Sequence, residues 1–153
     1  SQLGVAFVKG LQGDGETMKA AACAKHFAVH SGPEAIRHEF NAVASKKDMN
    51  ETYLPAFEAC VKEGDVEAVM GAYNRTNGEP CCAHTELMED ILRNEWEFKG
   101  HYVSDCWAIK DFHENHMVLY TVGIQYYHHP KNSQQSTKYH HQAHQEANVL
   151  PNQ

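Results

Sequence analysis

The sequence predicts an α/β fold with a parallel β-sheet, because short apolar segments alternate with amphipathic helical patterns over the first 116 residues. Three segments, residues 20–27, 65–73 and 100–105, have the length and apolar content of buried strands. They follow one another at intervals of roughly 35–45 residues, with a helical pattern between each pair, as in successive βα units. A parallel sheet is therefore the expected architecture.

Three helices are predicted from apolar residues that recur at helical spacing. The first is expected to end at Gly13, and the second begins at Pro55, which suits a first helical turn, and runs to about Glu63. The third has Thr85 as its candidate N-cap. Their apolar stripes consist of Leu3, Phe7, Val8 and Leu11, of Phe57 and Val61, and of Leu87, Met88, Ile91 and Leu92.

Composition and charge exclude several classes of partner. The 153-residue chain has a formal net charge of −7, whereas a nucleic-acid partner requires a basic surface. No apolar run approaches the ~20 residues of a membrane span, and the first residues lack the basic and apolar regions of a secretory signal. Five cysteines without a C-x-x-C pair favour buried, reduced thiols. We therefore expect a cytoplasmic protein that binds neither nucleic acid nor membrane.

The composition changes sharply near residue 117. Residues 117–153 contain five histidines and six glutamines but a single acidic residue, Glu146, and no cysteine. Such a segment buries too little apolar area to offset the entropy lost on ordering. We expect two parts, a folded domain over residues 1–116 and a tail over 117–153 that is disordered or comes from a shifted reading frame.

Each predicted strand ends in polar residues. The first ends at Lys25 and His26, the second at Tyr73 and Asn74, and the third at Asp105. Because ligands bind at the carboxyl ends of the strands in parallel α/β folds, these side chains are candidates for one site. An Asp there can act as nucleophile, general base or metal ligand, and Lys and His can donate hydrogen bonds to a hydroxylated ligand. Sugar chemistry fits this set at least as well as a metal site.

Metal and cofactor binding find little support in the motifs. His113 and His116 are three residues apart and do not form the H-E-x-x-H motif of zinc enzymes. The histidine pairs at 128–129 and 140–141, with His144, have no neighbouring Cys or carboxylate and indicate at most adventitious metal binding. We expect no metal and no cofactor. Cys106, beside Asp105, is expected to be a small residue packed under the strand end.

Four motifs resemble those of glycoside hydrolase family 3. They are KHFAVHSGPE at 25–34, ETYLPAF at 51–57, VMGAYN at 69–74 followed by NGEP at 77–80, and YVSDCWAI at 102–109. Any one of them would be weak, but four in the family's order over residues 1–116 are specific. The resemblance implies part of the family's TIM-like (β/α) barrel, and a retaining β-glycosidase of the β-glucosidase or β-xylosidase kind.

The resemblance also implies roles for individual residues. Asp105 corresponds to the nucleophile that attacks the anomeric carbon, whereas a second carboxylic acid protonates the leaving oxygen. Lys25 and His26 correspond to hydrogen-bond donors to sugar hydroxyls, and Tyr73 to a pocket residue near the nucleophile. Arg37 either orders the loop after Lys25 and His26 or touches sugar.

Trp107 and the incompleteness of the site leave alternatives open. Trp107 is predicted either to offer an apolar face to a sugar ring or to be a core residue. The family's acid/base is usually a Glu in a second, sandwich domain, which nothing in this sequence resembles, and a complete barrel needs eight strands and about 250 residues. We therefore expect a β-linked glycoside as substrate of the parent protein and no turnover by this chain. The alternative is a non-catalytic barrel fragment that binds sugar weakly or not at all.

Overall fold

A computed structural model describes residues 1–121 and 124–126 of the chain. Residues Ser1–Met117 form one compact unit, and a second begins at Val118. In chain order the first unit contains α1 (Gln2–Gln12), β1 (Cys23–Phe27), a 3-10 turn (Glu34–Ile36), β2 (Asn41–Ala42), α2 (Lys46–Asp48), a π-helical turn (Met49–Tyr53), α3 (Pro55–Lys62), β3 (Ala68–Gly71), β4 (Arg75–Thr76), β5 (Glu79–Pro80), a 3-10 turn (Cys81–Ala83), a π-helix (Glu86–Glu95), β6 (His101–Ser104) and α4 (Ala108–Glu114).

The main sheet confirms the predicted α/β class. Its three strands lie in the order β1–β3–β6 and are all parallel. Gly71, the last residue of β3, pairs with Phe27 on one side and with Ser104 on the other. The carboxyl ends of the three strands therefore lie level, as the sequence pattern predicts. Each observed strand is shorter than its predicted segment, although β1 ends at Phe27 as predicted.

A second, smaller sheet has no counterpart among the predicted elements. Strand β2 pairs in parallel with β4, and β4 pairs with β5 in an antiparallel hairpin. The hairpin turn has Asn77 and Gly78 at positive φ, 52° and 99°, the conformation that these two residue types tolerate. Strands of two residues carry too short an alternation to be recognised in a sequence.

The core of the first unit lies between the main sheet and the helices that pack on it. Phe27 in β1 is fully buried and makes edge-to-face contacts with Phe57 at 5.0 Å and Trp96 at 5.9 Å between ring centroids. Val69, at the centre of β3, is also fully buried. Aromatic contacts of this geometry add to the area term and fix the helices on one face of the sheet.

All three predicted helices occur at the expected place. Helix α3 begins at Pro55, as predicted. The third is of π type, and Thr85 occupies its N-cap without accepting a hydrogen bond at its side chain. The i→i+5 pattern of a π-helix explains why Leu87 and Leu92, five residues apart, are the two buried members of its stripe. No helix within residues 1–121 is both long and apolar enough to cross a membrane.

Helix α1 and its end at Gly13 are present as predicted, but of its four apolar residues only Val8 is buried. Leu3 is 88% exposed and Phe7 69% exposed, whereas Val8 and Gln12 are buried. Polar contacts set the orientation of the helix. The Gln12 amide donates to the carbonyl of Asp65, and its oxygen accepts from the backbone N–H groups of Ala22 and Glu67. One side chain thereby links α1 to the segments that precede β1 and β3.

Replacing Gln12 by methionine is expected to lower the free energy of unfolding by about 2–3 kcal/mol, because one buried and two part-buried hydrogen bonds to the backbone are lost. Urea denaturation followed by circular dichroism measures the change. The matched control is Gln2→Met on the same helix, since Gln2 is exposed. Equal stability of the two variants would contradict the role assigned to Gln12.

The second unit is described only in part. Strands β7 (Leu119–Thr121) and β8 (Ile124–Tyr126) form an antiparallel pair. The rest of the predicted tail, residues 122–123 and 127–153, lies outside the described residues.

Candidate active site

The polar residues at the three strand ends meet at the carboxyl edge of the main sheet. His26 Nε2 lies 3.1 Å from Asp105 Oδ2, and the hydroxyl of Tyr73 donates a hydrogen bond to the same carboxyl group. His26 is in β1, Tyr73 follows β3 and Asp105 follows β6. Three segments that are far apart in sequence thus place one acceptor between two donors.

Asp105 is held by the backbone as well. Its Oδ1 accepts a hydrogen bond from the N–H of Cys106 at 2.7 Å. Its carbonyl oxygen accepts from the N–H of Ala108 at 3.0 Å, in the turn that begins α4. The side chain is 12% exposed, so the carboxylate is oriented by fixed donors while an edge remains open to a small reactant.

The electrostatic surroundings keep His26 neutral. Burial lowers the pKa of His26, an effect that the charge of Asp105 opposes and that His30, Lys25 and Arg37 reinforce. Because a carboxylate only accepts hydrogen bonds, the single proton of the neutral ring resides on Nε2. His26 therefore orients Asp105 at neutral pH without cancelling its negative charge.

Tyr73 is also held in its protonated form. Burial raises the pKa of Tyr73, and both the charge of Asp105 and the hydrogen bond to it act in the same direction. The ring of Tyr73 lies 4.2 Å from that of His38, centroid to centroid, and the Arg37 guanidinium is 5.1 Å from its centroid. The ring is therefore restrained by two neighbours, which fixes the direction of its hydroxyl.

The remaining predicted site residues lie nearby. The Lys25 side chain is exposed and makes no hydrogen bond or ion pair with the other residues that the structure describes. Arg37 Nη1 binds Glu34 Oε1 at 2.6 Å while its guanidinium covers the Tyr73 ring, and the choice between loop ordering and sugar contact stays a prediction. Trp107 is 81% exposed and lines an open cleft with residues of α4, which makes the core alternative for this residue wrong.

Two residues of the site region, His38 and Asp111, were not identified from the sequence, and a third, Asn74, was named only as a polar residue at the end of the second strand. Asn74, fully buried, donates to the carbonyls of Val29 and Arg75 and therefore braces the loop after β1 without touching Asp105. Asp111 and His38 form a close pair beside Tyr73. The sequence held one signal for Asp111. It lies three positions after Ala108, so both residues fall on the same face of α4, the face that is buried in the structure.

The cysteines and histidines are arranged differently from part of the prediction. All five cysteines are free thiols, but Cys23 and Cys106 are exposed, so Cys106 is not packed under the strand end. His113 is exposed whereas His116 is buried, and the two do not share a face. Within residues 1–121, no group of three His, Cys, Asp or Glu side chains could hold a metal ion.

Comparison with curated proteins yields a family and several relatives. Residues 1–123 match the family described as Glycosyl hydrolase family 3 N terminal domain. A xylan 1,4-β-xylosidase of Xylanibacter ruminicola is 53% identical over 119 residues, 76% of this chain and 14% of that protein. Beta-D-xylosidase 3 of Arabidopsis thaliana is 41% identical over 113 residues, 69% of this chain and 15% of that protein. The chain thus spans about 15% of the length of these relatives.

Solved structures of two kinds of enzyme share the fold. A family 3 exo-β-xylosidase in complex with a xylobiose aziridine activity-based probe has a TM-score of 0.71 at 31% identity, over 74% of this chain and 16% of that one. A β-glucosidase from Listeria innocua in complex with glucose has a TM-score of 0.67 at 36% identity, over 76% of this chain and 17% of that one. Both likenesses extend over about three quarters of the chain.

Proposed function

The chain belongs to glycosyl hydrolase family 3, and from this membership we propose that it supplies the nucleophile of a retaining β-glycosidase that removes terminal β-linked xylose. The observation that carries the proposal is the Asp105 carboxylate, held between His26 Nε2 and the Tyr73 hydroxyl at the carboxyl edge of a parallel sheet. A carboxylate that is held in a fixed direction is what attack on an anomeric carbon requires.

The reaction proceeds in two steps. A carboxylate oxygen of Asp105 attacks the anomeric carbon while the bond to the leaving oxygen breaks, which forms a glycosyl ester on Asp105. A carboxylic acid protonates the leaving oxygen, and the resulting carboxylate then removes a proton from the water that cleaves the ester. Two displacements at one carbon restore the β configuration of the sugar.

The donors around Asp105 serve the first step. His26 and Tyr73 are neutral, so they fix the carboxylate in direction without forming an ion pair that would weaken the nucleophile. Lys25 is exposed beside His26, where its ammonium group can bind sugar hydroxyls. The exposed face of Trp107 provides an apolar surface for the ring of the sugar or of its leaving group.

Among the described residues no carboxyl group contacts the Asp105 carboxylate, and we assign the acid/base to a part of the protein outside them. The groups of the described chain that contact the Asp105 carboxylate are an imidazole, a phenol and a backbone N–H, and none is a carboxyl. A retaining enzyme needs its second carboxyl about 5–5.5 Å from the first. The chain alone is therefore expected to be inactive, and weak sugar binding without hydrolysis is the alternative function.

Xylose is favoured over glucose as the terminal sugar because of the relatives. The two curated relatives with 53% and 41% identity are both named as xylosidases. The shared folds with a xylosidase and a glucosidase do not discriminate, since their TM-scores of 0.71 and 0.67 are similar.

A graft tests the proposal in a complete enzyme. Residues 1–117 of this chain replace the matching segment of the Xylanibacter ruminicola xylosidase, and hydrolysis of 4-nitrophenyl β-xyloside and β-glucoside is measured. We expect the graft to hydrolyse the xyloside faster, with a β anomer as the first product in NMR. An inverted product would refute the retaining mechanism, a preference for the glucoside would refute the sugar assignment, and a folded but inactive graft would favour the non-catalytic alternative.

A further inference from the structure

Asp111 is a buried carboxylate that the proposed reaction does not use. It lies in α4, is 4% exposed, and binds two side chains. Its Oδ2 is 2.8 Å from His38 Nδ1, and its Oδ1 accepts from the Asn115 amide at 2.6 Å. A buried carboxylate with a separate partner on each oxygen is held in one orientation.

The hydrogen bonds of His38 determine where its proton resides. Arg37 Nε lies 3.3 Å from His38 Nε2, and a guanidinium nitrogen can only donate. His38 Nε2 is therefore the acceptor, and the proton is on Nδ1, where it is donated to Asp111. Partners on both nitrogens leave the imidazole ring with a single tautomer and a single orientation.

The imidazole of His38 in turn touches a residue of the site. Its centroid lies 4.2 Å from that of the Tyr73 ring, at an interplanar angle of 50°. The Arg37 guanidinium, which His38 binds, also covers the Tyr73 ring at 5.1 Å. Contacts thus run from Asp111 through His38 to Tyr73, whose hydroxyl binds Asp105.

We propose that Asp111 and His38 are positioning residues, which act through the Tyr73 ring to aim its hydroxyl at Asp105. The proposal rests on the proposed nucleophilic role of Asp105. It adds a connection between the loop after β1 and helix α4. Asp111 follows the nucleophile by six residues on the helix that the nucleophile turn begins, whereas His38 is in the loop after β1. The pair therefore ties the loop that restrains Tyr73 to α4, the helix that follows Asp105.

The tautomer of His38 is the first test, and it is read from the unaltered chain. The 153-residue chain labelled with ¹⁵N-histidine is examined by long-range ¹H–¹⁵N NMR, with His38→Gln used to assign the signal. We expect the proton of His38 on Nδ1 at pH 7. A proton on Nε2, or rapid exchange between the two tautomers, would overturn the proposal.

Titration of Tyr73 is the second test, with Asp111→Asn as the variant and Glu114→Gln on the same helix as the control. An amide has one oxygen, so it cannot serve both His38 and Asn115. The tyrosinate absorbance of Tyr73 is isolated by subtracting the spectrum of the Tyr73→Phe chain. We expect this absorbance to appear at lower pH in folded Asp111→Asn than in the unaltered chain or in Glu114→Gln. An unchanged titration of Tyr73 in folded Asp111→Asn would overturn the proposal.

Turnover by the graft gives a third readout. Asp111→Asn is expected to lower kcat about 10- to 100-fold with little change in KM, because a small misplacement of a reacting group has effects of this size. A kcat equal to that of the Glu114→Gln graft would overturn the proposal. The NMR and absorbance results do not depend on turnover, so a failure of the proposed glycosidase function is distinguishable from a failure of the positioning role.

Discussion

Replacing Asp105 by asparagine in the grafted xylosidase is expected to lower kcat about 10⁴-fold or more, since the loss of a nucleophile removes the covalent route altogether. An amide oxygen carries no full negative charge and cannot form the glycosyl ester. The backbone bond from the Cys106 N–H and the contacts from His26 and Tyr73 leave room for an amide of the same shape. The loss should therefore fall on chemistry, and the folded structure should persist.

The control for this prediction is Asp90→Asn, the same substitution at an exposed helical carboxylate. It should leave kcat within about twofold of the graft, as expected for a surface change. Added azide should partly restore turnover in Asp105→Gly, because a small anion can take the place of the missing carboxylate, and the product should be an α-glycosyl azide. Full activity of Asp105→Asn would show that another group is the nucleophile.

Acidification from pH 6.5 to pH 4 is expected to lower the free energy of unfolding by on the order of 3 kcal/mol through His116. Burial and the nearby charge of Arg75 lower the pKa of His116 to about 4, against the partial opposition of Asp111 and the backbone of His38. The unfolded chain binds this proton near pH 6.5, whereas the folded chain binds it only near pH 4. The stabilisation is therefore complete above pH 6.5 and lost as the pH falls to about 4.

Urea denaturation of the chain at a series of pH values measures this dependence. His26 and His84 also have lowered pKa values and act in the same direction, so His116 must be isolated by substitution. His116→Phe keeps an aromatic ring beside Phe112 and should flatten the profile between pH 6.5 and 4. The matched control, His113→Phe, alters an exposed ring and should leave the profile unchanged. Parallel profiles for the chain and His116→Phe would refute the assignment.

The sequence by itself determined the α/β class, the three parallel strands and the edge at which His26, Tyr73 and Asp105 meet. Each strand is a short apolar run, which is a local signal, and a parallel arrangement places all carboxyl ends on one side. The family also followed from local motifs, and the resemblance is confirmed by the match over residues 1–123. These features depend on residues that lie close together along the chain, so they can be recognised directly in the sequence.

Only the tertiary structure decided which face of each helix is buried and how the site is braced. In α1 the bonds of Gln12 to residues more than 50 positions away at Asp65 and Glu67 outweigh the apolar stripe of Leu3 and Phe7. The bond between His38 and Asp111 joins residues 73 positions apart. Such pairs leave no periodic trace in a sequence, because their partners are brought together by the register of the sheet and the packing of helices on it.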